Sequence, residues 1–132
     1  MAISFDKAFG LHEVALNLKA QRAEVIANNL ANADTPNFKA RDIDFGQALK
    51  LVNSQRASNL VRTHESHIDS RIGTEIPGLS YRIPHQPDTG DGNSVEAEIE
   101  QTKFAENAMQ YQASFTFLNS KIKGLVRAIK GE

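Results

Sequence analysis

The chain has 132 residues, with 15 Lys+Arg against 16 Asp+Glu, which fits one domain and leaves no basic stripe for a phosphate backbone, arguing against a nucleic-acid partner. It contains no cysteine, so disulfides and thiolate metal sites are excluded, and no apolar run approaches the roughly 20 residues that span a bilayer. The opening MAISFDKAFGLHE places Asp6, Lys7, His12 and Glu13 where a cleaved signal peptide needs an unbroken apolar stretch, so any route out of the cytoplasm is expected to bypass one.

All four prolines, Pro36, Pro77, Pro84 and Pro87, lie between two long periodic segments. Since proline inside a helix costs about 3 kcal/mol, the two ends are where long helices belong. The first is expected over about residues 4–32, with Ser4 as N-cap and Asp6 at the positive end of the dipole. Its main seam, Phe9, Leu16, Ala20, Ala23, Ala27 and Leu30, follows heptad spacing with one gap at Glu13. A second stripe, Leu11, Val14, Leu18 and Val25, runs beside it.

That helix ends in ANNLANADTPNF, although asparagine competes with the helix for backbone hydrogen bonds. Asn32 is expected to stop the helix in a left-handed cap, and Thr35-Pro36 to force a turn. Asn28 and Asn29 come too early for capping. Their amides are expected to bond backbone groups of the returning chain or of a neighbouring subunit; the alternative is a fraying end with solvated amides.

The middle, about residues 33–92, is irregular. Asp44 is placed to cap a short helix, FGQALKLVNSQ, with Phe45, Leu49 and Val52 on one face, and LSYRI reads as a short extended piece. His64 and His67 in THESHID, with Glu65 and Asp69, form the one cluster resembling a metal site, but the pattern is not HExxH and no third ligand follows. They read as solvated histidines, so neither metal nor cofactor is expected. Gly90 and Gly92 read as a turn. Without a GxSxG elbow or a thiol nucleophile, no enzyme is expected.

The last helix is expected over about residues 94–130, with Asn93 as N-cap and Glu96 completing a variant capping box. Glu96, Glu98 and Glu100 suit its positive end, and Lys121, Lys123, Arg127 and Lys130 its negative end. Ala97, Gln101, Phe104, Ala108, Tyr111, Phe115, Leu118, Ile122, Leu125 and Ile129 keep strict four–three spacing. A weaker stripe holds Ile99, Met109, Ala113 and Val126. The fold class is thus mainly α, with an Ala-rich and an aromatic seam interdigitating in an antiparallel, coiled-coil-like pair. The leftover stripes need a cover. Either the middle folds back over them or, as its few bulky apolar residues favour, neighbouring chains do. A heterologous contact that does not close would build a filament.

ANNLANADTPNFKARDIDF resembles the signature of bacterial flagellar rod and hook axial proteins, in which a helix ends in A-N-N-[LI]-A-N before T-P-G-[YF]-K. ALNLKAQRAEVIA, RTHESHI, YRIPHQPDTGDGNSVEAE and NSKIKGLVRAIKGE extend the resemblance over nearly the whole chain. It departs from the pattern at Asn37, where glycine is usual, and at Phe38, where tyrosine is common. Asparagine is the side chain that best tolerates a left-handed backbone, so the turn is expected to survive. The resemblance implies a non-catalytic structural subunit of the proximal rod, which carries torque from the MS ring toward the hook. Its implied partners are copies of itself, other rod subunits, MS-ring and rod-adaptor proteins, and the flagellar type III export apparatus in transit. The implied location is the periplasmic rod of the basal body. A soluble helical adapter or export chaperone is the rival reading, and a metal-dependent hydrolase at His64 and His67 a distant third.

Overall fold

The computed structural model describes residues 5–57, 76–84 and 90–131, with side chains of residues 5–9 and 55–57 left outside the description. The Ser4 cap, the Phe9 side chain, His64 and His67 therefore lie outside the described residues. In chain order come α1 (Phe5–Ala31), β1 (Arg41–Ile43), α2 (Phe45–Ala57), β2 (Leu79–Tyr81) and α3 (Ala97–Lys130). Both end helices run as the proline-free segments require. At its C-terminus α3 stops on Gly131, left-handed at φ 77°, whose N–H closes on the Arg127 carbonyl.

The helices are antiparallel: Asn29 of α1 meets Glu100 of α3, while Lys19, ten residues earlier, meets Asn107 and Gln110. On one side of this pair lies the middle. Asp44 caps α2 as its position suggests, its Oδ1 accepting the Gln47 N–H at 3.0 Å and its carbonyl the Ala48 N–H at 2.8 Å. β1 and β2 pair antiparallel, with Arg41 opposite Tyr81 and Ile43 opposite Leu79. Gly78 turns the chain into β2 at φ 73°, so close to α2 that a Cβ there would stand 2.8 Å from the Asp44 carbonyl oxygen.

Leu18, Val25, Ile43 and Ala48 are buried together, with Val14, Phe45, Leu49, Ile76 and Leu79 packed around them. The second stripe of α1 is thus covered from within the chain, contrary to the expectation that neighbours cover it. Few bulky residues are needed, because Ala48 lets α2 approach closely and Ile43 reaches in from β1. Leu11 is the exception, 58% exposed.

A second correction concerns the face of α3 that meets α1. The buried residues of α3 are Glu100 and Asn107, both polar. Lys103, Ser114, Leu118 and Leu125 are half-buried, whereas Phe104, Ala108, Tyr111, Phe115, Ile122 and Ile129 are exposed. At about 100° per residue, the aromatic seam sits roughly 70° around the helix from the line through Glu100, Asn107 and Ser114. On α1 the seam is turned away from the contact by a similar angle: Leu16, Ala23 and Leu30 are half-buried, Ala20 and Ala27 exposed. Because the helices are antiparallel, these rotations carry both seams to the same side, opposite α2 and the strands. Over the first half of α3 polar groups, not the aromatic seam, meet α1; Leu118 and Leu125 are half-buried farther along, and Ile26 of α1 is fully buried.

Candidate assembly interface

The signature segment builds the closed end of the hairpin. Past Ala31 the chain continues in tight turns, with bonds from Ala33 N–H to Leu30, Thr35 N–H to Asn32 and Phe38 N–H to Thr35. Asn32 is not left-handed; Asn37 is, at φ 61°. The cap expected at Asn32 is replaced by a side-chain bond, its Nδ2 donating to the Asn28 carbonyl at 2.8 Å while its Oδ1 accepts the Thr35 hydroxyl at 3.2 Å. Pro36 is exposed at the tip of the turn.

Asn29 is fully buried and does what a neighbouring strand would do. Its Oδ1 accepts the Arg41 N–H at 3.0 Å and its Nδ2 donates to the Arg41 carbonyl at 2.6 Å. At Arg41 the edge of β1 that faces away from β2 is thereby satisfied without a further strand. The same Nδ2 reaches Glu100 Oε2 at 3.1 Å, and Glu100 also pairs with Arg82. Asn28, by contrast, presents its side chain to the surface.

Asn93 is not the N-cap of α3. The helix begins at Ala97 behind Glu96, whose side chain makes no capping bond. The Asn93 amide instead turns toward the signature segment, its Nδ2 lying 3.0, 2.7 and 2.9 Å from the carbonyls of Asn32, Ala33 and Thr35. Its Oδ1 accepts the Val95 N–H at 2.8 Å. Around it, Asn37 N–H bonds the Asp91 carbonyl, Ser94 N–H the Phe38 carbonyl, and Ser94 Oγ accepts the Ala40 N–H at 2.8 Å.

Along the hairpin, Arg22 forks onto Asp42, Nε to Oδ1 at 2.8 Å and Nη2 to Oδ2 at 3.0 Å, and Lys103 adds a contact at 3.1 Å. Burial pushes the Asp42 carboxyl up, but hydrogen bonding and charge from Arg22, with Lys103 and the Ile43 N–H, outweigh it and bring it down to about 2. Arg22 is raised, chiefly by the Asp42 hydrogen bond. Lys19 is lowered by burial and by Arg22; its ammonium bonds Gln110 Oε1 at 2.8 Å and sits 4.5 Å from the centre of the Phe45 ring. Asn107 donates to the Lys19 carbonyl at 2.8 Å.

Arg22, Asp42, Arg82, Lys103, Asn107 and Gln110 were not among the expected contact residues. A signal for the last of these was present: Glu100, Lys103, Asn107, Gln110 and Ser114 repeat at three–four spacing as a polar stripe beside the apolar one. Among the described residues no group of three His, Asp or Glu could hold a metal, and no helix is long and apolar enough to cross a membrane.

Residues 11–39, the second half of α1 and the signature turn included, match the family model described as flagella basal body rod protein. Over full length the chain is similar to the flagellar basal body rod protein FlgB of Aeromonas hydrophila, 53% identical over 133 residues covering 100% of this chain and 99% of that one. The chain belongs to the flagellar basal body rod protein FlgB family. The FlgB proteins of Escherichia coli K12, 44% identical with 98% of each chain covered, and of Salmonella typhimurium, 41% identical with 96% and 95% covered, agree. As a FlgB-family chain it is a structural subunit of the flagellar basal body rod. The family model spans most of α1 together with the asparagine-rich turn.

Proposed function

We propose that residues 1–132 act as one axial domain of the proximal rod, carrying torque from the MS ring toward the hook without any catalytic step of its own. Its contacts are made by the seams: Phe9, Leu16, Ala20, Ala23, Ala27 and Leu30 on α1, and Phe104, Ala108, Tyr111, Phe115, Leu118, Ile122, Leu125 and Ile129 on α3. Copies of this chain and other rod subunits cover them, with MS-ring and rod-adaptor proteins at the base. The chain reaches the periplasmic rod through the flagellar type III export apparatus. The observation that carries this reading is the run of exposed apolar side chains along the α3 seam, Phe104, Tyr111, Phe115, Ile122 and Ile129. The Ala-rich and aromatic seams lie together on the side that α2 and the strands leave bare, with Phe115 50% and Ile129 80% exposed. Contiguous apolar surface of that kind marks a protein contact.

Phe115→Asp tests it. An exposed substitution costs the hairpin about 0.5 kcal/mol or less, so circular dichroism of the purified variant is expected to match the parent. Incorporation into isolated basal bodies and swimming are expected to be lost. Normal incorporation would remove the seam from the interface.

A further inference from the structure

The closed end of the hairpin is assembled from segments far apart in the chain, and bonds between them supplement the local bonds of the turn. The carbonyls of Asn32, Ala33 and Thr35 all point at one amide, that of Asn93, at separations of 61, 60 and 58 residues. Asn93 is 9% exposed and Ser94 7%, so water does not replace these bonds readily. Ser94 links to Phe38 through its N–H and to Ala40 through its Oγ. Gly92 packs so tightly on the turn that a Cβ there would stand 2.5 Å from Asn37 Oδ1. Lys39 Nζ donates to the Gly92 carbonyl at 2.6 Å.

We propose that residues 91–94 are the template of the asparagine-rich turn, so that the turn and the start of α3 order together as one lock, closed by Asn93. Within the turn, the Thr35 and Phe38 N–H groups reach the Asn32 and Thr35 carbonyls, but the donor to the Ala33 carbonyl comes from Asn93. Without the lock, α1 keeps its helical pattern but loses the fixed angle at which the chain leaves it for β1. Asn29 then loses the geometry that lets one amide serve both Arg41 and Glu100. The lock forms within a single chain and so stands apart from the reading of the seams as subunit contacts.

Amide hydrogen exchange on the full chain tests this. Asn93→Ser removes the donating amide, and exchange is expected to quicken roughly tenfold or more at Asn37, Phe38 and Arg41 together with Ser94 and the first turn of α3. Quickening confined to residues 93–95, with 32–41 unchanged, would overturn the proposal. Should Asn93→Ser lose its helical signal, Ser94→Ala decides. A lock quickens Asn37 and Arg41 as well as Ala40; a change at Ala40 alone overturns it. Because these readouts need no partner, they fail or succeed independently of incorporation into a rod.

Discussion

Asp42 shows how much of this chain's specificity rests on single polar side chains. Its carboxylate stands at the junction of α1, β1 and α3, held by Arg22 and Lys103, and its pKa falls from 3.8 to about 2. A carboxyl depressed in the folded state stabilises that state above its unfolded pKa and stops doing so as pH falls through the folded one. The stabilisation is therefore present above about 4 and fades toward pH 2. Asp42→Asn is expected to cost on the order of 1–2 kcal/mol at neutral pH, allowing for partial solvent screening. It should also flatten the acid limb of a urea-midpoint-against-pH curve between about 4 and 2. Asn29 makes a related point with an uncharged group. Asparagine is misplaced in a helix interior, yet its amide here bonds the returning backbone at Arg41. Asn28, its neighbour of the same type, has its side chain at the surface, so composition alone does not separate the two.

At the scale of elements, α2 and its neighbours are positioned by close approach. Gly78 combines a left-handed φ of 73° with a backbone carbonyl that a Cβ would meet at 2.8 Å. Gly78→Ala is expected to cost about 2–3 kcal/mol from strain and overpacking, read as a lower denaturation midpoint with an unchanged slope. The long helices, the Asp44 cap and the left-handed tolerance at Asn37 were legible because each depends on local rules: apolar period, capping chemistry, φ preference. The side of α3 that meets α1 was not. Heptad spacing reports which residues are apolar, but not whether the cover comes from the same chain. Partners such as Lys19 and Gln110, 91 residues apart, leave no periodic trace of each other. β1 was missed because three residues are too few to show alternation, and Asn93 was read as a cap because capping and turn-closing use the same amide.

For the whole molecule, closing the hairpin and covering its bare side are different kinds of event. The first joins mainly polar groups of α3 to α1 and β1; the second would remove Phe104, Tyr111, Phe115, Ile122 and Ile129 from water. Apolar burial carries heat capacity, about 0.45 cal/K/mol for each Å², while polar burial offsets it. Association of the folded chain is therefore expected to show a large negative heat-capacity change. Because hydrophobic attraction weakens on cooling, sedimentation of the purified chain across a concentration series should show larger species at about 25 °C than at about 4 °C. Equal size distributions at the two temperatures would count against burial of the seams. A hairpin with apolar groups left on its flank is thus a part whose attachment loosens in the cold.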